Sequence, residues 1–201
     1  MKKTLQALEK GLWVKAGAKD SPAISEALNR CAQTCFELNS TPPCDVDRRT
    51  TLLRTILGQA GDNIVVHSPF RCDFGFNISV GDDFVGNFNL SILDEAPVTI
   101  GDNVLIGPNS SLITIIHALT PDERNQGVMK ARPITIGDNV WIAANVTVLP
   151  GVEIGEGAVI GAGSVVTHSI PPHTLAAGNP CRVLREITPD DTPQNVLDFT
   201  H

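Results

Sequence analysis

Positive charge is scarce in this chain: Lys and Arg number 15 against 22 Asp and Glu, a net charge of −7. Phosphate binding normally demands a basic surface, so nucleic acid is excluded as a partner. Apolar runs are short, and none approaches the roughly 20 residues of a membrane span. Met1 to Lys10 holds lysines but no apolar run, so it does not read as a signal peptide. The five cysteines form no C-x-x-C pair and no zinc-like spacing. Cys31 and Cys35 stand four apart on an expected helix, where thiols serve as small buried hydrophobes. A soluble, cytoplasmic protein is the expectation. Between Arg132 and Arg182 there is no Lys or Arg at all. Helix is excluded from much of that stretch too, because Gly and Pro recur and the apolar spacing is six, which is not a multiple of the helical period.

What fills that stretch is a repeat. Aliphatic residues fall at Ile136, Ile142, Val148, Ile154, Ile160 and Val166, with a second small or aliphatic series at Val140, Val146, Val152, Ala158, Ser164 and Ile170. Between the two series lie turn triplets such as Gly137-Asp138-Asn139 and Gly155-Glu156-Gly157. Each repeat reads as a three-residue strand and a three-residue turn. In Val140-Trp141-Ile142 the outer residues point inward and the middle one outward, as pleating requires. Gly and Asn supply the positive φ of tight corners. A short fixed period of this kind is the signature of a β-helix, whose coils bury a common core only when stacked.

The rest of the chain is read around it. The 42% apolar content, with Gly 17 and Pro 14, describes a turn-rich single domain. Two amphipathic helices are expected, over Asp20 to Leu38 and Asp45 to Leu57, split at Pro42-Pro43. The second should bury Val46, Leu52, Leu53 and Ile56. Short helices need a surface to pack against, and the open end of a β-helix offers one. The six-residue rhythm starts at Phe74, slips by two residues at Ala96 to Thr99, and stops over Ile113 to Pro133, a long insertion of the kind that carries function. The expected organisation is all-β with a helical cap: residues 1–60 the cap, 61–187 the β-helix with an inserted loop at about 113–133, and 188–201 a loosely held tail. With three strands per coil, residues eighteen apart stack. Ala144 and Ala162 then share a corner stripped of side chains, where a slender ligand can approach the backbone. Leu105, Trp141 and Val159 form an outward apolar stripe, while Ser111, Thr147, Thr99 and Glu153 make the other faces largely polar. A partner surface or the chain's own segments should cover that stripe.

Several segments together resemble the maltose and galactoside O-acetyltransferases, a branch of the hexapeptide-repeat acyltransferases. They include Phe70-Arg71-Cys72-Asp73-Phe74-Gly75, Asn87-Phe88-Asn89, Leu93-Asp94, Ile100-Gly101-Asp102-Asn103-Val104, Pro133-Ile134-Thr135-Ile136-Gly137, Gly161-Ala162-Gly163-Ser164 and Ala177-Gly178-Asn179-Pro180. The resemblance implies a left-handed parallel β-helix, a homotrimer, acetyl-CoA as co-substrate bound between subunits, and no metal. It assigns His117 as the catalytic base, and Asn87 as a donor to the oxyanion that also touches the cofactor. It gives Asp73, Glu95, Met129 and Asp20 to a sugar acceptor, with N-cap of the first helix as the other role open to Asp20. Cofactor contacts fall to Ala144, Ala162, Thr167, His168, Arg182 and Arg185. The chemistry agrees with the residue types: a sugar hydroxyl needs a base, and histidine serves near neutral pH. Carboxylates accept hydrogen bonds from sugar hydroxyls, and arginines suit nucleotide phosphates. For Asn87 a turn or ladder role is the competing reading. The competing functions are acetylation of serine or an antibiotic hydroxyl, a γ-class carbonic anhydrase with zinc on His117, His168 and His173, and a non-catalytic scaffold.

Overall fold

The computed structural model describes residues 2–15, 21–194 and 196–197. Its centre is a parallel β-helix with three faces. The first face stacks Gln59–Ala60, Ile78–Val80, Val98–Ile100, Ile134–Ile136 and Glu153–Ile154. The second stacks Val65–Val66, Val85–Gly86, Leu105–Ile106, Trp141–Ile142, Val159–Ile160 and Thr174–Ala177, and closes with an antiparallel strand, Arg182–Glu186. The third stacks Phe70–Cys72, Leu90–Leu93, Ser111–Ile113, Thr147–Val148 and Val165–Val166. Every inward position of the two expected series, from Ile136 to Ile170, is buried. The third residue of each turn triplet is left-handed: Asn139 at φ 59°, Asn145 at 59°, Gly151 at 82°, Gly157 at 65° and Gly163 at 73°. Asn and Gly are the residues that adopt this conformation at least cost.

The register explains the slip in the rhythm. Trp141 pairs with Val159, eighteen residues on, but Val65 pairs with Val85 and Val85 with Leu105, twenty on. The two extra residues lie at the corner between the third and first faces, over Asp73–Asn77 and again over Asp94–Pro97. So the slip at Ala96–Thr99 has a counterpart one coil earlier, and the coil begins at Gln59 rather than at Phe74. At its far end the coil continues past Val166, since Val159–Ile160 pairs with Leu175–Ala176.

In the third coil the same corner expands into the insertion, which is not irregular. Ile115–His117 and Val128–Ala131 pair as an antiparallel hairpin, with a short helix over Pro121–Asn125 near its tip. Val14–Lys15 adds a third strand, Val14 facing Met129. The cap holds one helix more than expected: α1 (Lys2–Glu9), then α2 (Ser21–Ser40) and α3 (Val46–Ile56). Asp45 caps α3, its carboxylate accepting from the Arg48 N–H at 3.3 Å. Val46 is 63% exposed, a correction to the expected buried face, because it is the first residue of α3 and borders the open groove that Val65, His67 and Phe88 also line; Leu53 and Ile56 are buried. The Arg49 guanidinium donates to the carbonyls of Leu38, Thr41 and Val66 and to Ser68 Oγ, fastening both helices to the first coil. No described helix is long and apolar enough to cross a membrane.

Candidate active site

The corner between the third and first faces gathers acid groups where a sandwich of aliphatic residues would be expected. In the run Ile92, Asp94, Ala96 every member points inward, so Asp94 is fully buried. Its Oδ1 accepts the backbone N–H of Asp73 at 3.1 Å and of Phe74 at 2.8 Å, while Asn77 Nδ2 donates to its carbonyl at 2.7 Å. Its Oδ2 is buried without a hydrogen-bond partner. Burial pushes the Asp94 carboxyl up to about 6, against the pull of those backbone donors. Glu95, the next residue, is raised to about 8, first by burial and then by its hydrogen bond and charge contact with Asp73. Thr114 braces the corner, donating to Leu93 O at 2.7 Å and accepting the Ala96 N–H at 3.1 Å. Asp73 and Glu95 therefore stand together at this corner, with the backbone of Asp73 held by Asp94.

The hairpin lies over this pair. Met129 and Ile115 pack with Phe74, Ala96, Ala131, Leu5 and Leu8 in one apolar cluster. His117 is the cross-strand partner of Met129, and directly opposed residues share a face of the ribbon. The histidine thus stands on the corner side of the hairpin, solvent-exposed, and among the described residues no hydrogen bond holds its ring. Beside it a cavity of about 420 Å³ opens between Trp13, Leu119, Glu123 and Val128. Lys130 Nζ sits 4.5 Å over the Trp13 ring.

The other expected residues are elsewhere. Asn87, Ala144 and Ala162 share the corner between the second and third faces. Asn87 Oδ1 accepts the Phe88 N–H at 2.8 Å, which leaves its Nδ2 donors free of that turn. The ladder runs instead through Asn89, whose Nδ2 donates to Asn109 at 2.8 Å. A groove of about 570 Å³ flanks Asn87, lined also by Arg49, His67 and Phe88. A side chain at Gly107 would strike the backbone of Ala143 and Ala144, so this corner admits only the narrowest stacking. Thr167 Oγ1 and His168 Nδ1 lie 2.8 Å apart, at the acidic corner but farther along the coil. Arg182 is exposed on the closing strand, its Nη1 on Cys181 O at 2.8 Å. Arg185 is already engaged, bidentate on Asp191 at 2.6 and 2.7 Å, which anchors the start of the tail. Asp20 lies outside the described residues. Asp94 is the site residue that the sequence reading passed over, although its inward parity between Ile92 and Ala96 marked it. His117, His168 and His173 stand apart on different elements of one chain. The cluster of possible metal ligands found among the described residues contains no histidine.

Fold and site define a hexapeptide-repeat transferase. Residues 133–168 match the family described as bacterial transferase hexapeptide (six repeats), and residues 97–116 match a hexapeptide repeat of succinyl-transferase. Residues 18–61 match the maltose acetyltransferase hexapeptide capping motif, which places the helical cap as well. The galactoside O-acetyltransferase of Escherichia coli is 47% identical over 164 residues, 82% of this chain and 81% of that protein. A solved galactoside acetyltransferase, in complex with coenzyme A, superposes with a TM-score of 0.90 at 40% identity, over 97% of this chain and 96% of the other. The maltose O-acetyltransferase of Clostridium difficile 630 gives 0.87 at 38%, over 92% and 97%. The chain belongs to the maltose and galactoside O-acetyltransferase family.

Proposed function

We propose that the protein moves an acetyl group from acetyl-CoA to a hydroxyl of a sugar or galactoside, in a site completed by two subunits of a homotrimer. The observation that carries this reading is the corner where Asp73 and Glu95 pair beneath the hairpin of His117 and Met129. A protonated Glu95 donates a hydrogen bond and Asp73 accepts one, so the pair offers both halves of what a sugar diol presents. His117 removes the proton of the acceptor hydroxyl as its oxygen attacks the thioester carbonyl; the adduct then collapses with cleavage of the C–S bond, and the departing CoA thiolate takes the proton from the imidazolium. The oxyanion that forms needs a preorganised donor, worth about 3–4 kcal/mol, and Asn87 Nδ2 is the group available for it. Ala144 and Ala162 then line the narrow track of the pantetheine arm, and Arg182 is the cation for the nucleotide end, with Thr167 and His168 as further contacts to the cofactor. Arg185 contributes through the tail it fixes.

Asn87 and His117 occupy different corners of one chain, so a site that uses both is built between copies. The second face supports the same conclusion. Val65, Val85, Leu105, Trp141, Val159 and Leu175 form one outward file in register, and Trp141 is 52% exposed. Val65 and Leu105 of that file are exposed as well, and a soluble protein seldom leaves such a stripe bare. Serine and antibiotic hydroxyls remain the rival acceptors; the likeness to galactoside and maltose enzymes favours sugars. A screen of sugars, galactosides, serine and aminoglycosides with acetyl-CoA decides among them. Turnover of galactosides or maltose is expected, and turnover of serine alone would overturn the acceptor assignment.

A further inference from the structure

Three thiols lie directly behind the acidic corner, and the acetyl transfer uses none of them. Cys31 and Cys35 stand one turn apart on α2, so both side chains fall on one side of the helix. Cys72 ends the strand Phe70–Cys72 of the third face and meets them there. Its Sγ lies 3.5 Å from Sγ of Cys31 and 3.9 Å from Sγ of Cys35. All three sulfurs fall within 4.8 Å of one another. A metal bound by thiolates at about 2.3 Å holds its sulfurs about 3.8 Å apart in tetrahedral geometry and about 4.0 Å apart in trigonal geometry. Two edges of the sulfur triangle thus lie within about half an ångström of these spacings, and the third, between Cys31 and Cys35, is no longer than 4.8 Å.

The donor set is all sulfur. No carboxylate or histidine belongs to the cluster, Cys31 and Cys35 are buried, and Cys72 is half-buried. Oxygen-seeking cations find no ligand here, whereas a soft cation content with three sulfurs does. We propose that Cys31, Cys35 and Cys72 form a three-thiolate site for copper(I) that ties α2 to the β-helix beside Asp73. Binding forms three Cu–S bonds and releases the thiol protons, with no change in oxidation state of metal or sulfur. This site stands or falls independently of the acetyl transfer.

The test is anaerobic titration of the reduced full-length chain with copper(I) against bicinchoninate, with sulfur neighbours counted by X-ray absorption. One copper(I) per chain with three sulfurs is expected, and Cys44→Ser should bind it unchanged. Cys31→Ser should bind it at least about a hundredfold more weakly, since even outer-shell partners of a metal are worth about 10–100-fold. Failure to hold copper against the chelator, fewer than three sulfurs, wild-type binding by Cys31→Ser, or loss in Cys44→Ser would each overturn the site. The sulfur count on the unmodified chain decides the matter even where Cys31→Ser does not fold.

Discussion

Glu95 makes the site's pH dependence a matter of one proton. Its folded value of about 8 exceeds the ordinary 4.5, because burial and Asp73 both disfavour the anion. Between those values the folded chain holds a proton that the unfolded chain has lost. The stability contributed by the neutral acid is therefore complete below pH 4.5 and is lost as pH rises through about 8. Glu95→Gln is neutral at every pH, so it should lose less stability than wild type on going from about pH 5 to about pH 9. Parallel urea-unfolding curves for the two proteins would show that Glu95 titrates normally. With His117 as the proposed base, His117→Ala should lower kcat at least about a hundredfold while acetyl-CoA still binds, since a general base supplies about 10²–10⁴-fold. Turnover close to wild type would remove it from the mechanism. Arg182→Ala should raise KM for acetyl-CoA more than it lowers kcat, because a phosphate contact acts equally in ground and transition states. A lower kcat at unchanged KM would contradict that role.

The elements show why some of this was legible in the sequence. A three-residue strand with inward outer positions needs nothing beyond pleating, so the run from Ile136 to Ile170 could be read residue by residue. The bidirectional demand of the corners was equally plain, because Asn139, Asn145 and Gly151 are residues that accept positive φ. The twenty-residue coils were harder. Their two extra residues keep parity, so Asp94 is inward like Ile92 and disappears into the aliphatic pattern as a motif residue. The hairpin was hidden for a different reason: Ile115–His117 and Val128–Ala131 are too short to declare a period, and their third strand comes from Val14–Lys15, more than a hundred residues away. The thiol cluster was invisible likewise, because Cys72 joins Cys31 and Cys35 only once the third face is folded. Asp94→Ala should measure how far the acidic corner depends on its backing. Two backbone N–H groups would lose their acceptor, at a cost of about 2–4 kcal/mol in urea unfolding, whereas Asp94→Asn keeps an acceptor oxygen and should lose less. Equal losses for the two variants would mean that the carboxylate, not the acceptor oxygen, holds Asp73 in place.

At the scale of the whole molecule, the second face and its file from Val65 to Leu175 form the proposed contact between subunits. Trp141→Glu puts a charge into the middle of that file and should shift the proposed trimer toward monomers in light scattering, with activity falling in step. A fully active monomer would refute the shared site. The most direct measurement uses two inactive variants. His117→Ala and Asn87→Ala, each dead alone, are unfolded together in equal amounts and refolded as mixed trimers. If each site takes His117 from one subunit and Asn87 from its neighbour, random mixing leaves about a quarter of the sites with both native residues, and about a quarter of wild-type activity should return. If one chain supplies both residues to its own site, no mixture contains an intact site, and activity that stays at the level of the separate variants would contradict the reading.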